Sequence, residues 1–184
     1  MRVITGTAKG IRLKTLEGLD VRPTTERVKE GMFSSIQFDI SGSTVLDLFA
    51  GSGQLGIEAL SRGAKQAVFV DHSPQSIRII KENLEKTGMQ SRAQVYQKES
   101  EHFFALCPDA FFDFIFLDPP YRKDILQEIL PDLIKKLKKN GKIICEHEKD
   151  LEMPEKISNL RLQKNYFYGK IVVSVMKLNE EVEP

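Results

Sequence analysis

The sequence predicts an α/β fold built around a mostly parallel β-sheet. Three observations lead there. Short apolar runs alternate with amphipathic stretches along most of the chain. The run at 112–117 is apolar except for Asp113, as suits a central parallel strand covered on both faces. Glycines stand where helices should end, at Gly63, Gly88 and Gly141.

Taken in order, residues 2–5 and 11–16 read as a short hairpin around Gly6 to Gly10. A helix follows Pro23-Thr24-Thr25 to about Ile36, with Val28, Met32 and Ile36 at helical spacing and a threonine to cap it. Residues 44–48 form a buried strand, then a glycine-rich turn and a helix over 54–62. A strand at 67–70 leads to a helix at 74–87, and a third strand at 93–97 to a short helix at 100–106. The fourth strand, 112–117, precedes an amphipathic helix at 124–139, which Asn140-Gly141 should stop. A fifth strand over 142–146 follows. The end differs: 160–167 and 170–178 flank Tyr168-Gly169 and look like an antiparallel hairpin. Several βα units closed by a hairpin match the plan of class I methyltransferases; a dehydrogenase-type sheet would more often end in another parallel unit.

Bulk properties exclude rather than identify. A chain of 184 residues, with 41% hydrophobic and 29% charged residues, suits one globular domain with a small extension. The net charge is +1, yet residues 1–29 alone carry +4, a segment able to meet phosphates. The lysines at 135, 136, 138, 139 and 142 read first as a solvated helix end. Cys107 and Cys145 lack the spacing of a metal or redox motif, which points to free thiols in a reducing cytoplasm and to no metal site. No run resembles a signal peptide or a membrane span. Nothing demands a dimer, so a monomer is expected.

The first chemical motif is Asp47-Leu48-Phe49-Ala50-Gly51-Ser52-Gly53-Gln54-Leu55-Gly56. It follows a strand and opens a helix, and its glycines also fit a dinucleotide site. Asp71 ends the second strand, where an acid can accept from ribose hydroxyls in either reading. Asp47 tips the balance between the two, though it could also serve as a helix-capping acid. A carboxylate beside this turn would repel a pyrophosphate, whereas S-adenosyl-L-methionine brings a sulfonium and an ammonium. His72 could pack by the adenosine or lie plainly on the surface. His102 and His147 read as structural or exposed, and Glu146 as a cap, an ion-pair partner or a substrate contact.

The second motif, Asp118-Pro119-Pro120-Tyr121, follows the fourth strand and so lies on the same rim. An aromatic amine is a poor nucleophile because its lone pair is delocalised into the ring. Acceptors around its two N–H bonds favour the tetrahedral geometry that attack requires. The Asp118 carboxylate and the Pro119 carbonyl can supply them, since proline constrains the turn and adds no competing donor. Tyr121 can stack on the base. A carboxylate also offsets charge developing on the amine, and holding the reactants in line can contribute about 7–11 kcal/mol.

These motifs, with Arg22-Pro23-Thr24-Thr25-Glu26-Arg27-Val28-Lys29-Glu30, resemble the RsmD family, bacterial methyltransferases of guanine N2 in 16S ribosomal RNA. The resemblance covers nearly the whole chain. It implies a seven-stranded sheet with an antiparallel last strand, plus an N-terminal hairpin. Residues 1–40 would cover cofactor and substrate, and 41–184 would form the catalytic domain. Asp47, Phe49, Gly51, Ser52 and Gly53 would hold the methionine part of the cofactor, with Thr24 and Thr25 near its carboxylate. Asp71 would bind the ribose and Glu99 and Ser100 would lie by the adenine, with His72 close by. Asp118, Pro119, Pro120 and Tyr121 would take the base, with Arg22 and Arg27 closing over it. The implied partner is 16S rRNA within a small-subunit particle. The chain departs from the family in places. Glu99-Ser100 stands where Asp-Ala is usual, Gln54 replaces a small residue, and Ala8 and Ile11 replace aromatic or basic ones. An adenine-N6 DNA methyltransferase and a non-catalytic assembly factor on the same fold are the alternatives. The first usually carries a recognition domain that this chain has no room for, and the second should show decayed motifs.

Overall fold

A computed structural model describes residues 1–16, 26–119, 125–151 and 153–179. The elements are α1 (Glu26–Ser34), β1 (Thr44–Leu48), α2 (Gln54–Ser61), β2 (Gln66–Asp71), α3 (Pro74–Thr87), β3 (Ala93–Gln97), α4 (Ser100–Phe104), β4 (Phe112–Leu117), α5 (Ile125–Lys136), β5 (Leu137–Glu148), β6 (Lys156–Ile157), β7 (Leu160–Tyr168) and β8 (Ile171–Leu178). They form one mixed sheet in the order β3-β2-β1-β4-β5-β8-β7-β6. The first five strands are parallel, and β5–β8, β8–β7 and β7–β6 pair antiparallel. The fold is the Rossmann-like methyltransferase fold expected, with eight strands among the described residues rather than seven. The extra one, β6, is a two-residue strand too short to leave a periodic signal.

Alternation along the strands builds two cores. Val45, Phe69, Phe114 and Phe116 face one side, under α1, α2 and α3. Leu46, Leu48, Val68, Val70, Ile115 and Leu117 face the other, under α4 and α5. Local chemistry sets the helix ends. Ser73 caps α3 by accepting from the Ser76 N–H, Pro74 opens it, and Gly88 closes it at a φ of 67°.

Two expectations fail at their edges. The helix expected over 124–139 yields to strand at Leu137, because Leu137 pairs with Phe112 across the sheet. Asn140 and Gly141 therefore sit in an irregular stretch of β5, with Asn140 at a φ of 62°. The N-terminal hairpin shrinks to a single bridge, Arg2 to Arg12, with Val3 donating to the Ile11 carbonyl and Gly10 to that of Val3. Ala8 is buried and Ile11 is partly buried against the core.

What fixes this N-terminal arm is a carboxylate. Glu58 of α2 is fully buried and accepts from the Ile4 N–H (2.8 Å), the Thr5 N–H (3.0 Å) and Arg62 Nε (2.8 Å). Lys29 of α1, also fully buried, lies 3.2 Å from it and donates to the Arg2 carbonyl at 2.7 Å. Burial lowers the Lys29 pKa, opposed by Glu58. Ser61, one turn on, donates to the Thr5 carbonyl and accepts from the Ala8 N–H. Gly6 makes this approach possible: a Cβ there would stand 1.8 Å from the Ser61 carbonyl oxygen.

Four of the lysines in the run form ion pairs, Lys135 with Asp132, Lys136 with Asp109, Lys138 with Asp113 and Lys142 with Asp39. Among the described residues, no helix is long and apolar enough to cross a membrane.

Removing one partner of a buried ion pair typically costs about 3–5 kcal/mol, because the other charge is stranded. Glu58→Gln should therefore lose most of that in urea unfolding, and Lys29→Met combined with Glu58→Leu should lose less than the sum of the single changes. Additive losses would show that the two side chains act separately. A second expectation concerns His147, largely buried in β5. Its Nδ1 meets the Glu148 carbonyl at 2.8 Å, and Ser174 Oγ lies 2.7 Å from its Nε2. Burial lowers its pKa from 6.5, so the folded chain holds fewer protons here than the unfolded one. Its contribution is then complete above pH 6.5 and declines as the pH falls below it. The unfolding free-energy advantage of the wild type over His147→Gln should shrink below that pH; an advantage constant from pH 5 to 8 would contradict it.

Candidate active site

The sheet order reverses between β1 and β4, and the crevice outside the carboxyl ends of such strands is where open α/β sheets bind ligands. A cleft lies there, lined by Thr15, Leu16, Asp47, Phe49, Ala50, Gly51, Ser52, Gln54, Leu55 and Asp118. Strand register brings the two acids to one rim: Asp47 pairs with Phe116, and Asp118 follows two residues later.

The turn after β1 winds through positive φ at Phe49 (63°), Gly51 (53°) and Gly53 (74°). For Phe49 this left-handed conformation is strained, at about 1–3 kcal/mol. Each glycine has its own reason. Gly51 faces open space, with Leu16 the nearest atom to a Cβ at 3.9 Å, so a ligand can approach its backbone. Gly56 serves packing instead: a Cβ would press the Phe69 ring at 2.3 Å.

Asp47 is buried, and its Oδ2 accepts from the Gly56 N–H at 2.8 Å. Burial above all, and then the charges of Asp118 and Asp71, push its pKa well above the carboxylate range, against that single hydrogen bond. Three acids thus converge where a cation would relieve them. Asp71 accepts from the Gly51 N–H and the Ser73 N–H, both at 2.8 Å, so it braces the turn from β2. Each of its oxygens retains acceptor capacity for a hydroxyl.

The sequence-predicted residues are brought together in part. Asp47, Phe49, Gly51, Ser52 and Asp118 line the cleft, while Gly53 shapes the turn by donating to the Ala50 carbonyl. Pro119 follows Asp118 and is half-buried. His72 is exposed, 3.9 Å from Asp71. Glu99 is the exposed residue before α4 and Ser100 its buried first residue; neither lines the cleft. Arg27 is exposed on α1, within electrostatic reach of Tyr168. Arg22, Thr24, Thr25, Pro120 and Tyr121 lie outside the described residues.

Thr15 and Leu16 were not anticipated. Asn83, fully buried in α3, explains their position: its Nδ2 donates to the carbonyls of Lys14 and Ser52, and its Oδ1 accepts from the Lys14 N–H. One amide ties the arm to the glycine turn. Nothing in the sequence around a lone helical asparagine announces it. Cys145 is wholly buried, and burial followed by Asp118 raises its pKa, so it stays a thiol. No cluster of residues suited to a metal occurs among the described residues.

Residues 1–177 match the family model described as conserved hypothetical protein 95. The Bacillus subtilis protein YlbH is 41% identical over 96% of this chain and 98% of its own length. The ribosomal RNA small subunit methyltransferase D of Haemophilus influenzae is 37% identical over 82% of this chain and 80% of its own. The solved structure of the Escherichia coli protein yhhF superposes with a TM-score of 0.88 at 28% identity, covering 98% of this chain and 99% of that one. With the glycine turn, the paired rim acids and a match spanning almost every residue, the chain belongs to the RsmD family of small-subunit ribosomal RNA methyltransferases.

Proposed function

We propose that the protein transfers a methyl group from S-adenosyl-L-methionine to the exocyclic N2 amine of a guanine in 16S rRNA. The observation that carries this reading is the pair Asp47 and Asp118 on one cleft, beside a turn whose Gly51 backbone faces open space. The cofactor, when bound, supplies an already activated methyl group, so the protein needs to contribute placement and charge rather than a metal.

The chain's residues divide that work. The turn from Phe49 to Gly53 cradles the methionine part, Asp47 faces its cationic end, and Asp71 takes the ribose hydroxyls. Glu99 and Ser100 border the adenine, and Thr24 and Thr25 the methionine carboxylate. At the Asp118 side, the carboxylate accepts one N–H of the amine and the Pro119 carbonyl the other, drawing nitrogen toward tetrahedral geometry. Tyr121 stacks on the base beside Pro120, while Arg22 and Arg27 meet phosphates. The excess positive charge of residues 1–29 favours RNA, and a preassembled small-subunit particle compensates for a small basic surface. Turning the base out of a duplex would cost roughly a few kcal/mol. The protein acts as a monomer in the cytoplasm.

Asp118→Ala should abolish methylation of small-subunit particles while binding of S-adenosylhomocysteine survives. Nucleoside digestion of wild-type product should yield N2-methylguanosine; N6-methyladenine, or an active Asp118→Ala enzyme, would reject the assignment. A further expectation follows from the raised Asp47 pKa. An ammonium favours the ionised carboxylate, so its pKa should fall when the ligand binds. S-adenosylhomocysteine should therefore bind more tightly as the pH rises from the carboxylate range toward the pKa of the free site, and level off above it. In Asp47→Asn this pH dependence should disappear from calorimetric titrations; an unchanged profile would assign the proton to another group.

A further inference from the structure

Gln54 is the first residue of α2 and lines the cleft together with Asp47 and Asp118, yet it is 7% exposed. Its side-chain oxygen Oε1 is fully buried and has no hydrogen-bond partner among the described residues. A buried carbonyl left unpaired is costly, so its persistence calls for a donor that arrives later.

Three backbone donors of the neighbouring turn are committed elsewhere. The Gly51 N–H serves Asp71, the Gly53 N–H serves the Ala50 carbonyl, and the Gly56 N–H serves Asp47. A ligand in the cleft can supply the donor, and the cleft says which kind. Two carboxylates line it, and one of them is held above its ordinary pKa by burial and like charge. Such a cleft favours a cation that can donate hydrogen bonds. Gln54 also sits at the amino end of an eight-residue helix, where an anionic group is stabilised. A group carrying carboxylate and ammonium on one carbon satisfies both demands at once.

We infer that Gln54 is a positioning residue whose side-chain oxygen accepts a hydrogen bond from the α-ammonium of the cofactor's amino-acid portion. The inference rests on the cofactor reading above and adds to it a contact that a small residue at this position could not make. Gln54 holds the amino-acid end by charge-assisted hydrogen bonding, and Asp47 supplies the longer-range field. The methyl donor is thereby fixed from its amino-acid side rather than through the ribose alone.

The test compares two ligands by calorimetry, S-adenosylhomocysteine and its desamino analogue, which lacks only the α-ammonium. Wild type, Gln54→Met and Gln54→Ala are titrated with each. Methionine keeps the length of the side chain and removes the acceptor; alanine restores a small residue. The readout is the ratio of the two dissociation constants, which does not depend on the fraction of protein folded. A hydrogen bond to a charged donor predicts that this ratio falls about tenfold or more in both variants, with the desamino analogue bound nearly as well as by wild type. If both ligands weaken in parallel, Gln54 merely fills space and the inference fails. It fails equally if neither affinity changes. Wild-type protein that binds neither ligand would instead overturn the cofactor reading itself, and this contact with it.

Discussion

The fold depends on one buried acid more than on any other polar group. Glu58 gathers two backbone N–H groups of the arm, the Arg62 guanidinium and the Lys29 ammonium around a single carboxylate. Taking those charges out of water is costly, and only near-complete satisfaction of the carboxylate offsets it. The geometry supplies that satisfaction: Arg62 also stacks over Phe33, which packs on Phe116 in the central strand. The arm, α1 and α2 are therefore positioned by the helix that springs from the glycine turn. A shift at Glu58 would reach the cleft within one short helix.

At the cleft the balance of charge runs the other way. Glu58 is surrounded by donors, whereas Asp47 has one backbone donor and two acids for neighbours. The protein holds one carboxylate fully compensated for architecture and leaves the other undercompensated where a cationic ligand belongs. The two sit on consecutive elements, β1 and α2. Their different surroundings account for why acids so close in sequence have unlike roles.

Much of this was legible in the sequence. The parallel strands and α3 announced themselves through apolar runs and a glycine stop. Asp47, the glycines and Asp118 could be read as a site because strand ends fix where their side chains fall. What escaped had physical causes. The boundary between α5 and β5 moved because a cross-sheet partner, Phe112, outweighed local periodicity at Leu137. β6 is too short to show a pattern. Lys29 and Glu58 resemble surface residues in composition, and only their pairing across 29 positions reveals them as core. The lysines after 134 suggested a solvated end, and the structure adds acids from distant segments that neutralise most of them.

Asn83 carries a consequence for how the molecule is handled. Its amide grips the arm at Lys14 with one edge and the glycine loop at Ser52 with the same NH2 group. Arm and loop thus share one mechanical degree of freedom: neither can be displaced without straining the other's grip. The opening stretch of the chain behaves as a wall of the cleft rather than an appendage. Trimming it, or fusing a bulky tag against it, would register as altered ligand affinity at a loop some forty residues downstream.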